Sequence, residues 1–408
     1  MSLTNILFSL PMLVLYLTVG AAIAAHVRAE TASGGDIRRL AALPRAHASN
    51  AALSALVPAV GVFLVLSLVR LAGPAQVAGP LNGNAILWIT LAVAVGGALS
   101  AVARSGMNFR AQTASEGWIK ALLIAASTIA ILTTVGIVTS LLFETVSFFR
   151  QYPAADFFFS TDWSPNFRGN SSLGILPLLW GTLYISFIAL SFAVPVGLFA
   201  AIYLSEYASG RARAVAKPLI EILAGIPTIV YGLFALMTVG PLLRDYFAQP
   251  MGLGDSASSV MTAGLVMGIM LIPFVSSLSD DILNAVPQAM RDGSYGLGAT
   301  PSETIRQVVI PAALPGIVGA VLLAASRAIG ETMIVVLGAG AAARLSLNPF
   351  EAMTTVTVKI VSQLTGDSDF AAPETLVAFA LGLTLFVITL ALNVLALVIV
   401  RKYREQYE

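Results

Sequence analysis

The chain contains no cysteine, two histidines and few charged residues. The lack of cysteine among its 408 residues excludes disulfides, thiolate metal sites and thiol catalysis. With only His26 and His47 to supply imidazole, neither a histidine metal centre nor a bound cofactor is expected. Charged residues make up 11% of the chain, compared with about 25% in an ordinary soluble domain. The formal net charge of +1 argues against nucleic acid or another strongly charged partner.

Apolar residues are the most abundant class of residue in the chain. They make up 57% of the chain and mean hydropathy is +0.88, which is more apolar surface than soluble cores bury. A helical membrane span needs about 20 mostly apolar residues, and about nine runs meet that need. They lie at 3–25, 51–69, 86–103, 121–143, 173–205, 222–243, 256–279, 307–343 and 375–400. The ten-residue alternation of a membrane barrel is missing, so the prediction is an all-α integral membrane protein.

Basic residues predict the orientation of these spans. Putting Met1 outside places most Lys and Arg residues of the connections on the cytoplasmic side. The first apolar run is expected to stay as a span, because no Lys or Arg precedes it. The protein is therefore predicted to be a multi-pass component of the cell inner membrane, with a periplasmic N-terminus and a cytoplasmic C-terminus.

The spans are predicted to divide into two blocks. Residues 1–110 contain three spans and a basic connection without any catalytic constellation, which is typical of an accessory block. Residues 111–408 contain the other six spans and the more structured connections, including a long cytoplasmic loop at 284–316. The second block is thus expected to carry the main function.

The loop at 284–316 differs from the other connections. Residues Met290–Leu297 favour a short helix that stops at Gly298. Thr300 or Ser302 is then expected to cap a second helix, with Glu303 near its N-terminus, where the helix dipole favours a carboxylate. A short helix–turn–helix on the cytoplasmic face is suited to docking a partner. An ordinary connecting loop is the alternative.

This loop resembles the coupling loop of bacterial ABC importer permeases, which is written E-A-A-x3-G-x9-I-x-L-P. The sequence keeps every spacing but replaces Glu with Asp and Ala-Ala with Gly-Ser. In that family the loop sits in a cleft of the ATPase, so the resemblance implies the same contact here. The matching positions are Asp292, Gly293, Ser294, Gly298, Val308, Ile310 and Pro311.

A narrower resemblance covers most of 140–408. The segments Glu221–Gly232 and Arg327–Met333 look like the phosphate importer (Pst) permeases, and three further segments resemble the PstC member of that family. Those three are Asp162–Pro165, Gly174–Thr182 and Glu351–Thr357. The resemblance implies a six-helix type I (MetI-like) permease core. It also implies a PstA-like permease as heterodimer partner, a PstB-like ATPase dimer, a PstS-like periplasmic binding protein, and phosphate as substrate.

Arg327 and Glu331 are charges within a predicted span. A charge at bilayer depth costs about 2.5–3.5 kcal/mol on insertion scales, so such residues face protein or water and find partners. At a spacing of four, they are expected to lie on one helix face, where they can pair. The preferred interpretation places them on the translocation path or in a charge network, because guanidinium binds oxyanions at two points. A structural ion pair is the alternative.

The segment Glu221–Gly232 is the second part of the predicted path. Pro227 removes a helix hydrogen bond and is expected to kink its span, with Thr228 helping to satisfy the freed carbonyls. Kinked spans commonly line cavities in transporters. The residues assigned to the translocation path or charge network are therefore Arg327, Glu331, Thr332, Pro227, Tyr231 and Glu221.

The energy for transport is predicted to come from another chain. No lysine follows a glycine as a phosphate-binding loop requires, so this chain is not expected to be an enzyme. The leading hypothesis is a permease subunit of an ATP-driven importer of inorganic phosphate. The alternatives are a membrane scaffold or signalling subunit that reports phosphate status, an importer of another oxyanion such as sulfate, and an ion-driven secondary transporter.

Overall fold

A computed structural model describes residues 9–34, 36–72, 82–166, 170–366 and 372–404. The first residues of the span predicted at 3–25 lie outside this part of the chain. Contacts divide the protein into two units, Met1–Gly136 and Ile137–Glu408. The division between the two units falls within a long helix. The boundary that the sequence predicts lies at residue 110, and this predicted domain boundary stays a prediction.

The first unit consists of helices joined by short connections. They are α1 Leu10–Ala32, a 3-10 turn at Ile37–Arg39, α2 Pro44–Ala72, α3 Gly83–Arg104 and the first part of α4 Ala111–Gln151.

The second unit contains the rest of α4, ten more helices or bent helices, and one two-stranded sheet among the described residues. They are α5 Ala154–Phe159, β1 Trp163–Ser164, β2 Ser172–Leu173, α6 Leu176–Tyr207, α7 Gly210–Gly225, α8 Thr228–Ala248, α9 Val260–Asn284, α10 Gln288–Gly296, α11 Pro301–Ile329, α12 Met333–Gly338, α13 Val356–Gly366 and α14 Pro373–Arg404. The strands pair antiparallel, with Trp163 opposite Leu173.

The number of spans agrees with the sequence. Eight described helices are long and apolar enough to cross a membrane, and α7 with α8 makes a ninth if this bent pair counts as one span. The all-α membrane fold is confirmed.

Polar residues mark where several of these helices begin. The side chain of Asn82 accepts a hydrogen bond from the Ala85 amide (2.7 Å) at the start of α3. Ser209 and Ser259 cap α7 and α9 in the same way. Such caps satisfy amides that have no partner within the helix. The helix ends therefore follow from single polar residues that interrupt the apolar runs.

Alanines form the interior of the first unit. Ala21 and Ala25 of α1, Ala51 and Ala55 of α2, and Ala98 of α3 are buried together. Small side chains let helix backbones approach closely in a membrane. At Gly97 the approach leaves no room for a methyl group, because a Cβ there would lie 2.0 Å from the Ser54 carbonyl oxygen.

The core of the second unit lies between α6 and α9. Ile185 of α6 and Met267 and Leu271 of α9 are almost fully buried in it. Glycines on α9 allow the contact, since a Cβ at Gly264 would lie 2.6 Å from the Ile188 Cγ2 atom.

Wide π-helical turns interrupt three of the spans. They lie at Tyr203–Tyr207 in α6, Ala235–Val239 and Arg244–Ala248 in α8, and Ile305–Val309 in α11. Turns of this kind are rare and are often found at functional sites. Here they lie beside or within the two regions that the sequence singles out, the segment Glu221–Gly232 and the loop at 284–316.

Candidate functional site

The span that carries Arg327 is broken just beyond this residue. Helix α11 ends at Ile329, Gly330 follows as its C-cap, and α12 begins at Met333. The Glu331 carboxylate accepts hydrogen bonds from the amides of Met333 (3.0 Å) and Ile334 (3.4 Å). It therefore replaces the helix carbonyls that these amides would otherwise need.

The expectation that Arg327 and Glu331 share one helix face is wrong. The helix ends between them, and no ion pair joins them among the described residues. Instead, the Arg327 guanidinium carbon lies 5.6 Å from the centre of the Phe274 ring, within the range of a cation–π contact. Thr332 occupies the N-cap position of α12. The break is held in place by Thr357, whose hydroxyl donates to the Glu331 carbonyl (2.8 Å).

A second break lies at Pro227. Helix α7 ends at Gly225 and α8 begins at Thr228, with an angle of 88° between the two. The structure thus contains a full change of direction where the sequence predicts a kink. Tyr231 bridges the break, since its hydroxyl donates to the carbonyl oxygen of Leu223 (2.8 Å). This contact satisfies a carbonyl at the helix end, the role that the sequence assigned to Thr228.

The two breaks meet at one cavity of about 470 Å³. Arg327 and Phe274 line it from one side, and Glu221, Pro227 and Thr228 line it from the other. The cavity contains one cationic and one anionic side chain, so its walls carry little net charge. Of the predicted path residues, it brings together Arg327, Pro227 and Glu221. Tyr231, Glu331 and Thr332 are outside its lining and shape the two breaks instead.

Asp280 forms a charged cluster near this cavity. Its side chain is 3% exposed and accepts hydrogen bonds from Arg213 (2.9 Å) and Lys217 (2.8 Å). Asn284 donates to the same carboxylate at 2.9 Å. Arg213 and Lys217 are one helical turn apart, so both point from the same face of α7. The cluster holds α7 against the end of α9.

The predicted coupling loop is folded as a helix, a turn and a second helix. Helix α10 is followed by Gly298 with φ of +85°, a conformation that favours glycine. Thr300 and Glu303 form a reciprocal capping box at the start of α11, which confirms Thr300 as the cap. The loop is thus ordered by its own sequence.

The coupling residues predicted from the sequence lie on both helices of this loop. Asp292 is exposed on α10, where its carboxylate accepts from the Gln288 side chain (3.0 Å). A Cβ at Gly293 would meet open space. On α11, Val308 lies within the π-helical turn, and Ile310 and Pro311 follow this turn. The sequence did not single out Leu297, which is 92% exposed at the tip between the helices.

Arg291 ties the coupling loop to the end of α6. Its guanidinium donates to the Glu206 carboxylate at 2.6 Å and to the Leu283 carbonyl at 2.8 Å. The side chains of Arg291 and Glu206 are only 11% and 9% exposed. Neither this pair nor the Asp280 cluster was predicted, because the partners are far apart in the sequence. The only available signal was the charge of Arg291 beside the coupling motif.

Two comparisons of sequence bear on the function. Residues 193–405 match the family described as "Binding-protein-dependent transport system inner membrane component". The chain is also 36% identical to the phosphate transport system permease protein PstC 1 of Mycobacterium tuberculosis, over 60% of this chain and 81% of that protein. It is 35% identical to the PstC protein of Haemophilus influenzae, over 57% of this chain and 76% of that protein.

Solved structures of ABC transporters are similar as well. An inward-facing methionine transporter, MetNI, matches with a TM-score of 0.42 and 20% identity over 55% of this chain and 93% of that chain. A bacterial alginate transporter matches with a TM-score of 0.47 and 17% identity over 67% of this chain and 92% of that chain. These scores are low, so the assignment rests on the sequence matches. The chain, a multi-pass inner-membrane protein, belongs to the family of binding-protein-dependent transport system inner membrane components.

Proposed function

We propose that this chain is the permease subunit of an ATP-driven importer of inorganic phosphate. The observation that carries the proposal is the position of Arg327 in a cavity between two helix breaks, in a chain whose relatives are phosphate permeases. Broken spans place polar groups at the midplane of transporters while the rest of each helix stays apolar. The breaks at Pro227 and Gly330 fit that arrangement.

The chemistry of the cavity suits brief binding of an oxyanion. The planar guanidinium of Arg327 offers two parallel donors to phosphate oxygens. No carboxylate pairs with Arg327 among the described residues, which leaves these donors available to a ligand. Glu221 lines the same cavity and keeps it from becoming a tight anion trap, since transport requires release as well as capture.

Arg327 and Glu221 are exposed in this chain, so the cavity opens to the surface. A second permease completes the path on that side. By resemblance this partner is a PstA-like subunit, and a PstS-like periplasmic protein delivers the phosphate. The N-terminus is placed in the periplasm and the C-terminus in the cytoplasm, following the distribution of basic residues.

A separate ATPase drives the motion. The coupling loop presents exposed Asp292 and Leu297, one acidic and one apolar group, to a cleft of a PstB-like ATPase. The Arg291 contacts with Glu206 and Leu283 carry a displacement of this loop to α6 and α9. Because α9 lines the cavity through Phe274, a displacement of α9 changes the surroundings of Arg327.

Uptake into vesicles tests the substrate. The complex is reconstituted with its candidate ATPase and binding protein, and labelled phosphate or sulfate is supplied with ATP. We expect ATP-dependent uptake of phosphate and none of sulfate. Sulfate uptake without phosphate uptake would identify an importer of another oxyanion. ATPase-dependent regulation without uptake of either would favour the scaffold or signalling alternative.

A further inference from the structure

A polar cavity of about 360 Å³ lies within the first unit. It is lined by residues of α2, α3, the connection after α3 and the first turns of α4. Its polar lining residues are Asn50, Ser54, Ser100, Arg104 and Trp118. Serine and asparagine side chains inside a membrane helix bundle usually hydrogen-bond across helices. An arginine among the lining residues, and a buried amide oxygen that makes no such bond among the described residues, point to a function, because polar and ionisable groups are costly in a membrane bundle.

Asn50 is the clearest sign that a ligand belongs in this cavity. The residue is 3% exposed, and its Oδ1 atom has no hydrogen-bond partner among the described residues. Burying a polar atom without a partner costs free energy, so such atoms are nearly always satisfied by protein, water or ligand. One helical turn later, Ser54 accepts a hydrogen bond from the Trp118 indole (3.0 Å). Among the described residues the Ser54 hydroxyl donates to no acceptor, so its proton is available to a ligand in the cavity.

The charge of the lining selects an anion. Arg104, in the last turn of α3, is the single charged residue among the lining residues, and no carboxylate accompanies it. The nearby Glu116 is outside the lining and its carboxylate accepts from the Gln112 side chain (3.2 Å). An arginine beside a hydroxyl donor matches the oxygens of a phosphate group.

The surroundings of the cavity are also basic. Arg104 and Arg110 flank the connection between α3 and α4, and Arg45 lies in the first turn of α2. The connection before α2 is bound to the connection after α3 by a hydrogen bond from the Ala41 amide to the Met107 carbonyl (2.8 Å). Basic residues gathered at one end of a bundle raise the local concentration of anions.

We propose that this cavity binds a phosphate group, carried either by a phospholipid headgroup or by free inorganic phosphate. The Arg104 guanidinium holds the anionic oxygens, and the Ser54 hydroxyl donates to one of them. A headgroup hydroxyl, or a protonated phosphate oxygen, donates to Asn50 Oδ1. The site is independent of the translocation path and gives the first unit a role as a binding module.

Trp118 provides the signal for a direct test. The purified complex is placed in nanodiscs of phosphatidylcholine, and tryptophan fluorescence is followed while inorganic phosphate is added. A second sample uses nanodiscs that contain phosphatidylglycerol, followed by native mass spectrometry to detect retained lipid. Trp118→Phe identifies the part of the signal that comes from this site. The titration is repeated with the Arg327→Gln variant, so that phosphate bound in the proposed path does not contribute to the fluorescence change.

Arg104→Gln is the decisive variant. We expect it to weaken binding of phosphate or retention of phosphatidylglycerol about tenfold, the effect of losing a charge-assisted hydrogen bond. Asn50→Leu should weaken binding severalfold. Arg70→Gln, an exposed arginine in the last turn of α2, is the matched control and should bind normally. Arg104→Lys retains the charge, and should recover part of the affinity if the Gln variant is correctly folded.

The two samples separate the two sources of the phosphate group. A Trp118 response to inorganic phosphate in phosphatidylcholine identifies free phosphate. Retained phosphatidylglycerol that depends on Arg104 identifies a headgroup. If inorganic phosphate leaves the Trp118 signal unchanged and no phosphatidylglycerol is retained, or if Arg104→Gln binds both as the parent does, the proposal is wrong.

Discussion

The two units handle interior polarity in different ways. In the second unit, two buried carboxylates are paired with cations: Asp280 with Arg213 and Lys217, and Glu206 with Arg291. In the first unit, alanines form the helix contacts, and the polar cavity is lined by one arginine, Arg104, that has no ion-pair partner among the described residues. Paired charges hold moving elements together and can exchange partners, whereas an unpaired cation serves a ligand. The ion pairs of the second unit therefore connect its helices, whereas Arg104 of the first unit and Arg327 of the second are left to a ligand.

The largest effect is expected at Arg327, which lines the proposed path and has no ion-pair partner among the described residues. Arg327→Gln should abolish phosphate uptake, a loss of about a hundredfold or more, because phosphate loses a bidentate charged partner. The complex should still assemble, since the residue makes no ion pair. The measurement is uptake of labelled phosphate by reconstituted vesicles. Arg344→Gln, an exposed arginine that pairs with Glu351, is the control, and normal uptake by Arg327→Gln would remove this residue from the mechanism.

Breaking the pair that links the coupling loop to α6 tests whether paired charges transmit motion. Glu206→Gln keeps the shape but leaves Arg291 unpaired, and removal of one partner from a buried pair costs about 3–5 kcal/mol. We expect phosphate uptake to fall about tenfold while ATP hydrolysis by the complex continues.

The ratio of transported phosphate to hydrolysed ATP is the quantity to measure. A parallel fall of both activities, with less assembled complex, would instead mean that the pair is only structural. Combining Glu206→Gln with Arg291→Met gives the coupling energy between the two residues from a double-mutant cycle.

The Asp280 cluster allows a comparison of two neighbouring carboxylates. Asp280→Asn should destabilise the protein by about 2–4 kcal/mol, because two cations lose their partner, although both are about a third exposed. Asp281→Asn changes the next, exposed carboxylate and should have little effect. Thermal unfolding of the purified complex measures both, and equal midpoints for the two variants would contradict a role of this cluster in anchoring α7.

Two adjacent glycines test the static packing of the first unit. Gly97→Ala places a methyl group against the backbone of Ser54, and such overpacking costs about 1–3 kcal/mol. Gly96→Ala meets no atom within 4 Å and serves as the control. Hydrogen exchange of peptides from α2 and α3 should rise in Gly97→Ala only. Phosphate uptake should fall much less than in Arg327→Gln, and complete loss of uptake would show that the units do not act separately.

The smallest effect concerns pH. Burial lowers the pKa of Lys359 below its ordinary value of 10.5, because a low-dielectric environment disfavours the charged form. The unfolded chain therefore binds more protons than the folded protein between the lowered pKa and 10.5, and stability rises with pH in that range. We expect Lys359→Met to remove this rise in the thermal midpoint. An unchanged alkaline profile would indicate that Lys359 is solvated.

Much of the fold is predictable from the sequence, because each span is a long apolar run and each break contains a recognisable residue. Thr300 caps its helix as one of the two predicted candidates, with Glu303 in the first turn, and Pro227 interrupts its span. The break after Arg327 was missed, because a glycine such as Gly330 is tolerated within many membrane helices and Glu331 satisfies the freed amides from its own side chain. Local sequence patterns cannot show whether the helix continues through Gly330 or ends there.

The ion pairs were missed for a different reason. Glu206 and Arg291 are separated by a complete pair of spans, and their contact depends on how α6 and the coupling loop pack. The same is true of Asp280 and its partners on α7. Sequence patterns report local periodicity and capping, whereas these contacts follow from tertiary packing alone.

The turn at Pro227 has a consequence for the membrane itself. With α7 diverted by 88°, the straight part of this bent pair is α8 alone. At the α-helical rise of about 1.5 Å per residue, Thr228–Ala248 is at most about 31 Å long, and its two π-helical turns shorten it, so it barely matches a hydrocarbon thickness of about 30 Å. This helix has no spare length for tilting. We therefore expect the transporter to be sensitive to acyl-chain length, with thicker bilayers forcing local thinning around α8.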